Sequence, residues 1–272
     1  MTWYPAPGKL NLFLHILGKR ADGYHELQTV FRLVDRADGV GIRIRRDGAI
    51  SFTGVYGDDN LCVRAARLLQ SETGTRFGAD LALEKHLPVG GGMGGGSSDA
   101  ATVLLVLNKL WNVHLERLAL ISIGARLGAD VPVFVNGANA LGEGIGERLC
   151  ELDLPPAWYL VLEPQVSVST REIFGSALTG RSKALKIPPF FPGQGANDLE
   201  AAAVTRYPEI AAHLDWLRQR GAQARMTGSG ACVFAEFGSE ADALAVLNQL
   251  PGGMRGFVAR GLDRHPLYDW TH

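Results

Sequence analysis

Residues 88–101 read PVGGGMGGGSSDAA, so six of the seven positions from Gly90 to Gly96 are glycine. Such a run offers nothing to pack. It costs backbone entropy, and it permits positive φ and close approach of a ligand to the main chain. The stretch from Ala100 to Trp111 follows at once, apolar on nearly every turn and without a breaker. Amides opening onto the positive end of a helix form an anion site, so a phosphate-bearing ligand is expected. The alternative is a glycine-rich surface turn. Ser97 and Ser98, placed as helix caps, and the immediate apolar helix speak against it. Two further residues could do chemistry. Asp130 lies between Gly128-Ala129 and Val131-Pro132, where an aspartate serves as a turn or cap residue or as a free carboxylate. Lys9 follows Pro5-Ala6-Pro7-Gly8, either solvated or held as a fixed ammonium.

Three loop types compete for the glycines. GxxxxGK[ST] has its spacing at Gly91 and Gly96, but Ser97 stands where the lysine must be. GxGxxG is matched at Gly90, Gly92 and Gly95, a match so many glycines satisfy by accident, and Glu116, at roughly the distance of the required acid, sits in a helical stretch. The third type is the P-x-x-G-L-G-S-S-A loop of the GHMP small-molecule kinases. Pro88, Val89, Gly90, Gly91, Gly92, Met93, Gly94, Gly95, Gly96, Ser97 and Ser98 resemble it, with Met93 in the usual leucine place. Ala6 to Leu12 resembles the N-terminal motif of that family, and Met226 to Cys232 its third, glycine-rich motif. Together the motifs span the whole chain in the right order. Lys19 to Glu26, Leu127 to Pro132, Gly142 to Glu147 and Asn197 to Glu200 resemble the branch whose acceptor is a cytidine-diphospho-methylerythritol.

The resemblance implies transfer of the γ-phosphoryl of ATP to an alcohol, without a phosphoenzyme. It makes Asp130 the base that takes the alcohol's proton and Lys9 the ammonium that orients it and stabilises developing charge. Asn11, Tyr24, His25, Thr170 and Phe174 become the acceptor set, with aromatics around the cytosine ring and His25 on its hydrogen-bonding edge. Read without the family, Tyr24-His25 is an aromatic pair in a turn, Phe174 is core, and Asn11 and Thr170 are a strand-start and an N-cap residue. Lys85, otherwise a surface lysine like His86, approaches the purine of ATP by resemblance. Ser97 and Ser98 cap the helix and offer hydroxyls to phosphate or Mg2+. Magnesium is expected because it bridges nucleotide phosphates in such transfers, with Asp130 and Ser97 as candidate ligands. A kinase of another GHMP branch, acting on homoserine, mevalonate or a sugar, and a silent GHMP-fold binding protein are the competing readings.

These residues need elements to position them. Leu10–Leu17, Leu27–Val34, Val40–Arg45 and Ala79–Glu84 read as strands, with Ser51–Gly54 as a plausible partner to Val40–Arg45. Asn60–Gln70 reads as a helix N-capped by Asn60, and Glu116–Leu127 as another. The helix after the loop is expected to end near Asn112. Val131–Val135 is short, apolar and β-branched, and Ala138–Leu149 suggests strands about a tight turn. Pro155-Pro156 is the best candidate boundary. Beyond it, Tyr159–Glu163, Ala224–Met226, Cys232–Phe237 and Gly256–Arg260 read as strands. Ser169–Ala177, Asp198–Tyr207, Glu209–Arg220 and Glu240–Gln249 read as helices, and Ile187–Gln194 as a loop. The expected fold class is α+β, two-lobed. By resemblance, residues 1–152 form an ATP-binding half like ribosomal protein S5 domain 2, and residues 153–272 a ferredoxin-like half.

The bulk numbers fit a small-molecule enzyme. The chain has 272 residues, 46% apolar and 20% charged, with a net charge of -1. That balance argues against nucleic-acid binding through bulk positive charge. Cys62, Cys150 and Cys232 are far apart and form no CxxC pair, which favours reduced thiols in a cytoplasm over a disulfide scaffold or zinc site. The N-terminus has no apolar signal core, and no run reaches the roughly 18 apolar residues of a membrane span. The expected partners are ATP and the acceptor, with no nucleic acid and no membrane, and the protein is expected to be a monomer or homodimer.

Overall fold

Lys19 to Gly23 is polar, and the chain reverses there, with the Arg20 amide donating to the Tyr24 carbonyl at 2.8 Å. The flanking segments form a long antiparallel pair, β1 (Thr2–Lys19) and β2 (His25–Arg45). The computed structural model describes residues 1–54, 57, 59–176, 184–185 and 193–271. The expected loop from Ile187 lies outside the described residues over 187–192, and so does Ala177 at the end of the expected helix Ser169–Ala177.

Two sequence segments merge in β2. Partners of β1 skip from Ala37 to Val34 between Pro7 and Gly8, so the exposed Asp35 and Arg36 bulge from a continuous strand. β1 likewise starts well before Leu10, in spite of Pro5 and Pro7. Around the prolines its ladder is with β2, and the other bridge to β1 among the described residues, Leu14 to Asn197, lies well beyond them, so the prolines sit on an edge that tolerates them. β4 (Gly78–Glu84) pairs antiparallel with β2 and parallel with β3 (Ile50–Thr53), so β4 lies between Ser51–Gly54 and Val40–Arg45, against the expectation that these two pair with each other.

Four helices cover one face of this sheet: α1 (Leu61–Thr73), α2 (Gly95–Leu110), α3 (Arg117–Ala125) and α4 (Val131–Asn136). Leu33, Ile42, Leu69, Leu81, Leu104 and Phe134 meet in their common core. Asn60 caps α1 as expected, its side chain accepting from the amides of Cys62 and Val63. α4 is the short β-branched segment. Its helical state rests on a proline in the first turn and Gly137 at φ 73° after the last. With Val131 to Val135 all buried, it carries no polar face to reveal a helical period. β5 (Ala140–Gly144) returns to β2 and pairs with β6 (Arg148–Glu151).

The second half holds β7 (Trp158–Leu162), α5 (Thr170–Ser176), α6 (Glu200–Arg206), α7 (Pro208–Arg218), β8 (Arg225–Met226), β9 (Val233–Phe237), α8 (Glu240–Leu247) and β10 (Gly256–Leu262). β7 lies between β10 and β9, and β8 is at the margin. Alternate residues Leu160 and Leu162 face the helices with Leu214 and Leu217. Tyr159 and Val161 face the other way, onto Leu10, Leu12 and Phe13 of β1. β10 also pairs with β2 through Gly261↔Val34 and Leu262↔Leu33, so one sheet runs through both halves. The last residues then pack on the first half, where Arg117 donates to the carbonyls of Tyr268 and Thr271. No helix among the described residues is long and apolar enough to cross a membrane.

Candidate active site

The glycine loop is held by its carbonyls. Gly90 O accepts from the Ala231 amide and Gly91 O from the Cys232 amide, each at 3.2 Å, and Met93 O accepts from the Lys9 amide at 3.0 Å. The N-terminal and third motifs therefore grip the second from two sides. Gly90, Gly92 and Gly94 have φ of 70°, 77° and 71°. Alternation through the left-handed region turns successive N–H groups toward one concavity. Among the described residues no amide from Gly92 to Ser97 donates to a protein acceptor. Those donors sit at the lip of a cavity of about 580 Å³ lined by the loop, Lys9, Asn11, Lys85, Asp130, Thr170 and Phe174.

Glycine is required by contact as well as by φ. A Cβ on Gly92 would lie 2.1 Å from Thr227 O, backbone to which the neighbouring motif is tied. Gly92→Ala is therefore expected to push the loop off the third motif and raise the KM for ATP about tenfold or more, at a strain of about 1–3 kcal/mol. Steady-state kinetics with ATP varied, alongside a thermal midpoint, checks this. An unchanged KM would show that loop position does not matter. Met93 acts from below: its side chain is fully buried with Leu10 and Leu87, which anchors the loop where leucine is usual.

Neither Ser97 nor Ser98 caps the helix, contrary to expectation. α2 begins at Gly95, Gly94 is its N-cap, and no side chain caps it. Ser97 and Ser98 lie inside the first turn. Ser98 is buried and donates to Pro7 O at 2.7 Å, so its hydroxyl fixes α2 to β1 and does not line the cavity. Ser97 lines the cavity.

Lys9 is 3% exposed, and its ammonium donates to Asn11 Oδ1 at 2.6 Å and Gly92 O at 2.9 Å. Asp130 Oδ2 stands 3.4 Å from the same nitrogen. Asn11 is fixed in turn, donating to Thr29 Oγ1 at 2.9 Å. Asp130 occupies the N-cap position of α4, but its side chain accepts no capping hydrogen bond, and it is 38% exposed. The carboxylate is thus paired on one side and open to the cavity on the other. At the far end, Thr170 Oγ1 and Ser229 Oγ share a hydrogen bond of 2.8 Å, linking α5 to the third motif.

The acceptor set is gathered in part. The ring of His25 lies 5.5 Å from that of Phe174, inclined at 36°. Burial, and secondarily Lys19, lowers the His25 pKa, which favours a neutral ring able to donate and accept. Neither His25 nor Tyr24 lines the cavity, and Tyr24 is 60% exposed.

Lys85 has partners that local sequence reasoning missed. Its ammonium donates to Asp99 Oδ2 at 2.8 Å and to Asp38 Oδ2. Burial holds the Asp99 carboxyl well above the ordinary carboxylate range, against the pull of Lys85. Asp99 lies one residue past the serines and was within reach of a motif reading. Asp38 is 47 residues from Lys85 and carries no local signal. Among the described residues no group of three or more His, Cys, Asp or Glu side chains could hold a metal.

The chain has relatives. Residues 60–138 match the family described as GHMP kinases N terminal domain, and residues 192–255 match GHMP kinases C terminal. A 4-diphosphocytidyl-2-C-methyl-D-erythritol kinase of Nitrosospira multiformis is 58% identical, over 98% of this chain and 93% of that one. The protein of the same name from Thiobacillus denitrificans is also 58% identical, over 98% of each chain. A crystal structure of 4-(cytidine 5'-diphospho)-2C-methyl-D-erythritol kinase superposes with a TM-score of 0.85 at 33% identity, covering 96% of this chain and 99% of that one. A mevalonate kinase structure, at 13% identity and a TM-score of 0.69, shares the fold.

Proposed function

The chain belongs to the GHMP kinase family, and from that membership and the cavity we propose that it phosphorylates the 2-hydroxyl of 4-diphosphocytidyl-2-C-methyl-D-erythritol with ATP, a step of non-mevalonate isoprenoid precursor synthesis. The observation that carries this reading is the row of unpartnered amides from Gly92 to Ser97 opening on the same cavity as the Lys9–Asp130 pair. The amides suit the phosphates of ATP, and the pair suits an alcohol beside the terminal phosphate.

In this reading the acceptor oxygen attacks the γ-phosphorus in line. A new P–O bond forms as the bond to the β-phosphate oxygen breaks, and ADP leaves. Asp130 takes the hydroxyl proton. Lys9, fixed by Asn11 and Gly92 O, orients that carboxylate and stabilises charge on the reacting oxygens. Thr170, Phe174 and His25 hold the cytidine end, with His25 offering both a donor and an acceptor to the base. Mg2+ would fit here as a nucleotide-borne ion: Ser97 lines the cavity beside the loop and would offer it a protein oxygen, with Asp130 near enough to add a second in place of a water, the rest coming from phosphates and water. When bound, it neutralises charge on the transferring group. Cys62 and Cys232 are buried free thiols, which suits a cytoplasmic setting.

The test is ADP release in an acceptor screen. ADP is expected with the cytidine-bearing alcohol and not with homoserine, mevalonate or galactose. His25→Ala is expected to raise the acceptor KM about tenfold to a hundredfold, the scale of one lost base contact, with the KM for ATP unchanged. Turnover of alcohols without a cytidine head, or His25→Ala at wild-type acceptor KM, would move the protein to another GHMP branch. ATP binding without turnover of any alcohol would make it a binding module.

A further inference from the structure

A loop so rich in glycine loses more entropy on ordering than any other kind, and a nucleotide that has to order it binds more weakly for doing so. Its two ends are tied together beneath it. The amides of His86 and Leu87, which lead into the loop, donate to Asp38 Oδ1 at 2.6 and 2.8 Å. Asp99 is the fifth residue of α2, one turn in from the end of the loop. One ammonium, that of Lys85, bonds to both carboxylates. Asp38 and Asp99 are 1% and 2% exposed. Gly95 closes over the cluster: a Cβ there would lie 3.1 Å from Lys85 Nζ and 3.2 Å from Asp38 Oδ2.

Two carboxylates around one ammonium do not attract a triphosphate. A buried ionic cluster also adds little net stability, because desolvation offsets its attraction. What this one can supply is geometry. We propose that Asp38, Lys85 and Asp99 are positioning residues, a buried staple that closes the base of the glycine loop and fixes its amides before nucleotide arrives. The proposal rests on the reading that residues 88–98 hold ATP.

Lys85→Met and Asp99→Ala cut the staple, whereas Asp99→Asn keeps an oxygen that accepts from Lys85. The first readout is hydrogen exchange of the nucleotide-free protein at Lys9, Ala231 and Cys232, whose amides end on loop carbonyls. Exchange there is expected to speed up about tenfold or more in both cut variants, the sign of local opening. The second is a split in kinetics. In Asp99→Ala the KM for ATP rises about tenfold, while kcat at saturating ATP stays within about threefold, and Asp99→Asn restores most of the KM. Should Lys85→Met fail to fold, Asp99→Ala carries both readouts. Wild-type exchange and KM in a folded variant would overturn the staple. So would equal losses in Asp99→Ala and Asp99→Asn, which mark a merely structural role. If the wild type does not turn over ATP, the kinase reading fails, and the exchange measurement still decides the staple.

Discussion

Asp130→Asn is expected to lower kcat by about 10²–10⁴-fold, the scale of a lost proton acceptor in the transition state. Both KM values should change by less than about threefold, because the amide fills the same space and the phosphates are gripped elsewhere. The thermal midpoint should stay at its wild-type value. Here the structure separates two roles that one aspartate can play. A capping aspartate replaced by a poorer cap costs about 1 kcal/mol of stability. Asp130 stands at the cap position without bonding an α4 amide, so the substitution removes a base and not a cap. Its carboxylate is ion-paired to a buried lysine on one face and open on the other, the placement a proton acceptor needs. Steady-state kinetics at saturating ATP and acceptor, with differential scanning fluorimetry, makes the measurement. A near-normal kcat with a lowered midpoint would return Asp130 to the capping role.

The loop, Lys9 and Asp130 were legible in the sequence because the chemistry is local there. Backbone donors can approach a phosphate only where side chains are missing, so the glycines had to be adjacent. Helix α4 was hidden for the opposite reason, since a wholly buried β-branched stretch has no polar face to show its period. The role of Ser98 was misread because a serine beside a helix start looks like a cap, whereas here Gly94, in left-handed conformation, takes that position and sends the serine hydroxyl back to Pro7. Asp38 shows the limit of a local reading. It belongs to β2, and only the pairing of β2 with β4 brings it under Lys85, the residue that follows β4. Tyr24 carries the aromatic character expected of a nucleobase contact, yet its turn leaves it mostly in solvent.

Lys9→Met is the companion experiment, and its expected signature differs. The sulfur-bearing chain keeps the apolar stem and removes the charge. Asp130 is partly exposed, so it is not left as a stranded buried anion, and the variant should fold. kcat should fall about 10²–10³-fold, the loss seen when one fixed donor to developing charge is deleted. Unlike Asp130→Asn, this variant should also weaken ATP binding, because Lys9 Nζ donates to Gly92 O inside the loop. Lys9→Arg should not rescue it. The ammonium donates as a compact point to Asn11 Oδ1 and Gly92 O while facing Asp130, and a longer, planar guanidinium cannot put its donors at that same point. The decisive comparison is the double variant. If ammonium and carboxylate work on one proton transfer, Lys9→Met with Asp130→Asn should lose little more in kcat than the worse single variant. Multiplying losses would mean that the two groups act independently, and that the 3.4 Å contact between them does not serve the transfer.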